Sequence, residues 1–299
     1  MKSNNSFFNN TFININGEIV SPQNAKISVL DRGFLYGDSV YEVAYSKNRK
    51  LFFFEDHLNR LYTSANLLQM NITYTRDELI KECLKTLKVS NITNAYIRII
   101  LTRGESELSL DPTQSKENNL VIIVKPKPQH NQDFYRSGIK LKVVSILRND
   151  SRSTNPEAKS GNYLNNVMAI SEAKNLGFND AIMLNSDQNI TEGSSFNVWL
   201  IKSNIVFTPS ANAGLLLGIT REKIIEICNT NNIKLIIKDL TVQDVSEADE
   251  AFITSSTREV MPIGLIDDKV FDLKQNNTTK RLQALFKEFL LSRSNGLEY

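Results

Sequence analysis

The stretch PEAKSGNYLNN, residues 156–166, places one lysine, Lys159, just before a tyrosine and a predicted helix. A lysine amine forms a Schiff base with an aldehyde when its surroundings favour the neutral amine. The small polar residues 160–162 would let the backbone pass close to a bound ring, and Tyr163 is near enough to reach a ring hydroxyl. Taken alone, a lysine in such a stretch is more often an ordinary solvated loop residue. Whether Lys159 forms a Schiff base therefore has to be judged from the rest of the sequence.

Length and composition narrow the class of protein. The chain has 299 residues, enough for two domains or one large one, with 41% apolar and 23% charged residues. The net charge of +2 gives no electrostatic reason to expect binding to nucleic acid or to an acidic membrane. No stretch approaches the roughly 20 apolar residues that span a bilayer, and the N-terminus lacks the apolar run of a signal peptide.

Cysteine and histidine are scarce. Cys83 and Cys228 lie far apart in helix-like stretches, which argues against a disulfide framework and fits a reducing cytoplasm. With His57 and His130 as the two histidines, no group of residues has the spacing of a zinc cluster. We therefore expect a cytoplasmic protein without a bound metal.

The pattern along the chain predicts an α/β (α+β) fold with two domains. An Asn-Gly turn in residues 12–20 predicts a hairpin, and helical periodicity follows from residue 56 and again over 77–89. We place a smaller α/β domain at 1–128, an interdomain linker at 129–137 and a larger α/β domain at 138–299. The linker overlaps the proline-rich polar stretch 125–133, for which the alternative is a long surface loop within one domain. Residues 180–201 read as two strands around a polar turn, and both parallel and antiparallel pairing is expected.

Four further stretches offer groups that a phosphorylated aromatic aldehyde would need. Arg60 in EDHLNRL is a bidentate phosphate ligand, and Glu192 in ITEGSSFNV can hold a pyridinium nitrogen protonated. The helix that begins in GITRE presents free backbone N–H groups to a phosphate. Hydroxyls and amides of TSSTRE can complete an anion cradle. Each stretch alone has an ordinary alternative: a surface arginine, a turn carboxylate, a capped helix or a polar turn.

The order of these stretches resembles the fold-type IV family of pyridoxal-phosphate enzymes. Its landmarks here are DRGFLYGDSVYEV, EDHLNRL, KSGNYL, EGSSFNV, GITRE and TSSTREVMP, and the resemblance runs over residues 12–285. The family includes branched-chain aminotransferases, D-amino-acid aminotransferases and aminodeoxychorismate lyase. The resemblance implies a small N-terminal α/β domain, a larger C-terminal pseudo-barrel domain and pyridoxal 5′-phosphate between them. It also implies a homodimer in which the partner supplies a loop to the site.

The resemblance implies a role for most of these residues. Lys159 would form the Schiff base and move a proton, Glu192 would keep the ring nitrogen protonated, and Tyr163 would hydrogen-bond the ring oxygen. The phosphate would be bound by Arg60, Ile219, Thr220, Ser256 and Thr257. Asn197 belongs to one of the motifs, but the sequence gives it no role.

Substrate specificity is mixed in the sequence. Tyr96 and Arg98 match positions that help to hold substrate carboxylates in branched-chain aminotransferases, and Tyr36 also occupies a tyrosine position of that type. Tyr41 instead resembles the D-amino-acid enzymes. The arginine and histidine of the D-type carboxylate trap are replaced by Leu108 and Leu110. Stereochemical preference therefore stays open.

Arg258 is unusual, because branched-chain enzymes have a small residue at that position. We expect that Arg258 or Arg98 binds a substrate carboxylate, and the alternative is that Arg258 forms a surface ion pair. The predicted activity is transfer of an amino group from an amino acid to a keto acid, with 2-oxoglutarate as acceptor. The alternatives are a β-elimination lyase of the aminodeoxychorismate type and a non-catalytic homologue, which would be expected to lack Lys159 or Glu192.

Overall fold

The computed structural model describes residues 8–115, 117–292 and 296–299, and the chain divides into two compact units. The first unit contains residues 8–128, 158–162 and 296–299 of this described part, and the second contains 129–157 and 163–292. The five residues around Lys159 thus belong to the first unit, although the sequence on both sides of them belongs to the second.

The first unit is a seven-stranded antiparallel sheet with helices on one face. Its strands, numbered in chain order, are β1 Phe12–Ile15, β2 Glu18–Val20, β3 Ser39–Lys47, β4 Lys50–Leu51, β5 Ala95–Thr102, β6 Leu120–Pro126 and β16 Leu297–Glu298. The spatial order is β16-β4-β3-β5-β6-β1-β2. Its helices are α1 Arg32–Tyr36, α2 Phe54–Leu67 and α3 Arg76–Ser90. The predicted hairpin is the β1–β2 pair.

The alternation of β5 shows why this sheet has two different faces. Ile97, Ile99 and Leu101 are fully buried in the core that also contains Leu58 and Leu61 of α2. The intervening side chains of β5, which include Arg98, point to the other face. A strand that is apolar on one side and charged or aromatic on the other leaves the second face available for polar chemistry.

The second unit contains a nine-stranded mixed sheet. Its strands are β7 Ile139–Val143, β8 Asp180–Leu184, β9 Ile190–Gly193, β10 Asn197–Lys202, β11 Ile205–Thr208, β12 Leu235–Ile237, β13 Glu250–Ser255, β14 Glu259–Ile266 and β15 Lys269–Val270. Its helices are α4 Asp133–Ser137, α5 Leu164–Asn175, α6 Ile219–Thr230, α7 Val242–Glu247 and α8 Asn277–Ser292. Strand β7 pairs in parallel with β8 and β14, and β11 with β12, whereas the other pairs are antiparallel. The predicted mixture of parallel and antiparallel pairing is confirmed.

Two segments differ from the expectation. Residues 129–137, expected as a linker, group with the second unit and include helix α4. Residues 180–201 form three strands rather than two, because the chain turns again between Gly193 and Asn197. A Cβ atom at Gly193 would lie 2.0 Å from the ring of Phe196, so this second turn requires glycine. None of the helices in the described ranges is long and apolar enough to cross a bilayer.

Candidate active site

Backbone contacts of the first unit place Lys159. Its amide N–H donates to the Ser64 hydroxyl of α2 at 3.0 Å, and its carbonyl accepts from the Tyr41 N–H of β3 at 3.0 Å. Ser160 forms an antiparallel bridge with Val40. Residues 159–160 therefore lie alongside β3 and hydrogen-bond to it. These contacts fix the position of the Lys159 backbone.

The Lys159 amine lies beside an aromatic hydroxyl and a second cation. Its Nζ atom is 3.2 Å from the Tyr41 hydroxyl and 4.3 Å from the centre of the Tyr41 ring. The Arg98 guanidinium is 4.0 Å from the centre of the same ring. The structure thus brings together three residues that the sequence predicted for the site. An amine next to a hydroxyl that can share its proton is suited to proton transfer.

A buried charged cluster lies between α2 and β3. Glu42 is fully buried and accepts from Arg60 Nε at 2.6 Å, from Arg60 Nη2 at 2.9 Å and from His57 Nδ1 at 2.7 Å. Burial alone would raise the pKa of Glu42, but Arg60 and His57 hold that pKa well below its ordinary value. Burial lowers the pKa of His57 despite the neighbouring carboxylate, so the neutral imidazole donates from Nδ1.

This cluster changes the interpretation of Arg60. The sequence predicted Arg60 as a phosphate ligand, and the structure uses two of its donors in a bidentate pair with Glu42. The side chain of Arg60 is 14% exposed. Because a guanidinium carries five N–H donors, it can pair with a carboxylate and still direct other donors to an anion. The sequence analysis did not predict that His57 and Glu42 would contact Arg60, because residue spacing does not show which carboxylate of a strand will pack against a helix.

The remaining candidates of the first unit lie on α1 and β5. Tyr36 ends α1, where the Arg32 guanidinium covers its ring at 5.1 Å. Tyr96 lies opposite Lys125 in the β5–β6 pair, and the Lys125 amine is 5.1 Å from its ring centre. Tyr96 and Arg98 are two positions apart on one strand, so their side chains share a face of the sheet.

Glu192 of the second unit forms a close ion pair that the sequence did not reveal. Its Oε1 atom is 2.9 Å from Nε of Arg148, and its Oε2 atom accepts from the Leu216 N–H at 3.1 Å. Both side chains are largely buried, at 8% and 12% exposure. Arg148 lies in the loop after β7, where no motif or periodicity marks it. The pair holds a carboxylate in one orientation near the N-terminus of α6.

The N-terminus of α6 has no side-chain cap. Helix α6 begins after Gly218, which caps it without a side-chain hydrogen bond, so the N–H groups at Ile219 and Thr220 have no intrahelical acceptor. Asn197 donates to the Leu216 carbonyl at 2.9 Å, and a Cβ atom at Gly218 would lie 2.0 Å from Asn197 Oδ1. Asn197, which had no role in the sequence analysis, therefore fixes the approach to the helix.

The other candidates of the second unit lie on turns. Tyr163 precedes α5 as its half-buried N-cap residue. Ser256 and Thr257 are half-buried in the turn between β13 and β14. Arg258 ends this turn and donates to Oδ2 of Asp180 at 3.0 Å, with its guanidinium 5.3 Å from the centre of the Phe196 ring. Its partner is a buried aspartate rather than a surface carboxylate.

Known proteins match this fold along nearly its whole length. Residues 39–266 match the family described as Amino-transferase class IV. A Methanocaldococcus jannaschii protein provisionally named a branched-chain-amino-acid aminotransferase is 36% identical over 277 residues, which cover 92% of this chain and 95% of that protein. The D-alanine aminotransferase of Listeria monocytogenes is 32% identical over 289 residues, 95% of this chain and 98% of that enzyme. A crystal structure of the T.th. branched-chain amino acid aminotransferase with pyridoxamine 5′-phosphate matches with a TM-score of 0.88 and 26% identity, covering 94% of each chain.

The fold and these matches define a class of enzyme: the chain belongs to the class IV aminotransferase family. The predicted fold class, enzyme class and pyridoxal 5′-phosphate cofactor are thereby confirmed. The donor set fits this cofactor. Each unit by itself contains groups of the kind that this cofactor binds: an amine at Lys159 in the first, and a buried carboxylate at Glu192 and the N-terminus of α6 in the second.

Proposed function

We propose that Lys159 is the residue that binds the cofactor covalently and moves the proton during amino-group transfer. The carrying observation is the position of its amine, 3.2 Å from the Tyr41 hydroxyl on a backbone fixed at both its N–H and its carbonyl. Bound pyridoxal phosphate would supply an electron sink for the bond that breaks at the substrate α-carbon. The Lys159 amine would take the proton from that carbon and deliver it to C4′ of the cofactor, and Tyr41 would stabilise the protonated amine by hydrogen bonding.

Glu192 has the second role, which is to keep the ring nitrogen protonated. Its support is the Arg148 pair, which orients the carboxylate and compensates its burial. Tyr163, at the start of α5, is proposed to hydrogen-bond the ring oxygen.

The phosphate is proposed to bind at the N-terminus of α6 and at the turn before Arg258. Free N–H groups at Ile219 and Thr220 and the helix dipole favour an anion there. Ser256 and Thr257 add hydroxyl and amide donors. Arg60 would contribute those of its donors that do not bind Glu42.

The substrate carboxylate is assigned to Arg98 in preference to Arg258. Among the described residues, Arg98 has no carboxylate within ion-pair distance, whereas Arg258 is paired with Asp180. A half-buried guanidinium whose charge is not compensated favours an anionic ligand. Tyr36, Tyr41 and Tyr96 would line the same substrate site.

The proposed reaction is amino transfer between an amino acid and a keto acid, with 2-oxoglutarate as acceptor. Support for this acceptor comes from the T.th. enzyme, which has a structure in complex with N-(5′-phosphopyridoxyl)-L-glutamate. The relatives described above are aminotransferases, which favours transfer over the lyase reaction. Both Lys159 and Glu192 are present, which argues against a non-catalytic homologue.

A half-reaction tests the proposal. The purified holoenzyme is mixed with one amino acid and no acceptor, and its visible spectrum is recorded, with L- and D-forms of each amino acid compared. An aminotransferase converts its bound cofactor to the amine form and loses the long-wavelength band, and 2-oxoglutarate restores that band. Pyruvate release from aminodeoxychorismate without any conversion would instead establish the lyase.

A homodimer is the proposed active unit, in the cytoplasm. The first unit exposes Val29, Phe34, Leu108 and Leu110, with 67–79% of each residue accessible. The Arg32 guanidinium donates to the Leu110 carbonyl at 3.2 Å, which joins the two segments that carry these side chains. Several large apolar side chains exposed on segments that contact each other favour association. Sedimentation velocity should give a dimer, and Leu110→Asp should shift it toward the monomer.

A further inference from the structure

We propose that Asp180 is a positioning residue that couples two turns of the second unit, one next to Glu192 and one that contains the proposed phosphate ligands. One turn follows Glu192 and the other contains Ser256 and Thr257. The inference rests on the proposed function of these turns. Asp180 itself begins β8 and is 3% exposed, so a carboxylate without partners there would be strongly unfavourable.

The first arm of the coupling runs to the turn between β13 and β14. Asp180 Oδ2 accepts from Arg258 Nη2 at 3.0 Å. The backbone of Arg258 is held as well, because its N–H donates to the Ser255 hydroxyl at 3.3 Å and its carbonyl accepts from the Tyr135 hydroxyl at 3.0 Å. Ser256 and Thr257 lie between these fixed points. The ion pair therefore holds their turn against β8.

The second arm runs to the turn after β9. Asp180 Oδ1 accepts from the Ser194 hydroxyl at 2.5 Å and from the Ala181 N–H at 2.9 Å. Ser194 is two residues from Glu192, and its carbonyl accepts from Asn166 Nδ2 at 2.9 Å. The ring of Phe196 in the same turn lies under the Arg258 guanidinium. One buried carboxylate and one ring thus connect both turns.

This arrangement gives Arg258 a role different from substrate binding. Its charge offsets that of Asp180, and its length spans the gap between β8 and the turn. Asp180→Asn separates the two arms, since the amide oxygen can still accept from Ser194 while its NH2 group would face the guanidinium donors. The turn that contains Ser256 and Thr257 would lose its ion pair with β8, and the turn after Glu192 would keep its hydrogen bond from Ser194 to residue 180.

The test compares the binding of pyridoxal 5′-phosphate and of pyridoxal to the apoprotein, each measured by fluorescence titration. The dissociation constant of pyridoxal divided by that of pyridoxal 5′-phosphate measures how much the phosphate contributes to binding. We expect Asp180→Asn and Arg258→Met each to reduce this ratio about tenfold, the loss of one charge-assisted hydrogen bond. The double variant should show about the same tenfold reduction, because both changes remove one interaction.

The control is Asp267→Asn, which removes the Lys142 ion pair of the same unit and should leave the ratio unchanged. Equal weakening of both ligands would show that Asp180 acts through general stability and would overturn the proposal. An Arg258→Met variant with an unchanged ratio and a raised KM for amino acids would overturn it in favour of direct substrate binding. A wild-type protein that binds neither ligand would instead refute the proposed function.

Discussion

The two units hold their charged side chains in different ways. In the first unit, Glu42, His57 and Arg60 lie on a strand and a helix, where the backbone geometry of regular elements fixes their positions. In the second unit, Arg148 and Arg258 lie in a loop and a turn, outside the helices and strands. Regular elements place side chains through repeating hydrogen bonds, whereas loops require dedicated partners.

The difference predicts different consequences of substitution. The cluster of the first unit is part of the hydrophobic core, so its loss should affect folding. The ion pairs of the second unit, Arg148–Glu192 and Arg258–Asp180, involve or adjoin the groups assigned to the cofactor. Their loss should affect binding and catalysis more than folding.

The largest effect is expected from Lys159→Ala. Without the amine, no group is left at this position to bind the aldehyde and move the proton, so the rate of the half-reaction should fall by at least about 10³-fold. Stopped-flow absorbance with an amino donor measures this rate. Lys174→Ala, on the exposed side of α5, is the matched control and should react normally. A Lys159→Ala variant that still transfers amino groups at the wild-type rate would contradict the role proposed for Lys159.

Next in size is the effect of Glu42→Ala on stability. The substitution leaves the Arg60 guanidinium without its buried carboxylate, which typically costs about 3–5 kcal/mol of unfolding free energy. Urea unfolding of the apoprotein measures this value. Glu55→Ala breaks the exposed Glu55–Arg76 pair and should cost less than about 1 kcal/mol. Equal effects of the two substitutions would contradict the assignment of the cluster to the core.

Arg148→Met tests the expectation that an ion pair of the second unit supports catalysis rather than folding. Loss of the ion pair removes one of the contacts that orient the Glu192 carboxylate, so kcat should fall about 10–100-fold, the range for losing a residue that orients a catalytic group. Steady-state kinetics with a saturating amino donor measures kcat. The control is Arg152→Met in the same loop, whose side chain is 85% exposed. If Arg148→Met mainly lowered stability and left kcat unchanged, the two units would not differ as proposed.

Arg98→Ala tests the substrate assignment. Because Arg98 has no described carboxylate partner, its removal should leave folding nearly unchanged and raise KM for amino acids about tenfold, equivalent to about 1.4 kcal/mol. Arg76→Ala is a matched control, since Arg76 also lies over a tyrosine ring, at 5.5 Å from Tyr62. An unchanged KM with every amino donor would exclude Arg98 from the substrate site.

The smallest effect concerns pH. Burial lowers the pKa of His57, and the net pKa of Glu42 is also depressed, so the folded protein binds fewer protons than the unfolded chain. The free energy of unfolding should therefore be highest near neutral pH. It should decline as pH falls below about 6.5, where an unfolded histidine gains a proton, and again below about 4.3, where an unfolded glutamate does. Urea midpoints between pH 7 and pH 4 measure this decline, and His57→Gln should reduce its first step. A midpoint that rises on acidification would contradict the assignment.

Sequence reasoning succeeded where a pattern repeats or a motif is dense. Alternation and helical periodicity predicted the β1–β2 hairpin, α2, α3 and the mixed pairing. The ordered motifs placed Lys159, Glu192 and the start of α6 in one enzyme family. The roles of these residues stay predictions until they are tested by substitution.

The remaining features depend on contacts between distant parts of the chain. Arg148 and Asp180 belong to no motif, and their partners Glu192 and Arg258 lie 44 and 78 residues away. The turn at Gly193 was missed because only the ring of Phe196 makes glycine necessary there. Glu42 is flanked by apolar residues in a strand, and nothing in its spacing indicates that it meets Arg60.

Covalent trapping at Lys159 tests the central claim most directly. The holoenzyme is reduced with borohydride and digested, and the peptide that carries the pyridoxyl group is mapped by mass spectrometry. The account predicts one labelled peptide with the modification on the Lys159 side chain. Modification of another lysine, or a fully loaded enzyme that yields no labelled peptide, would contradict it.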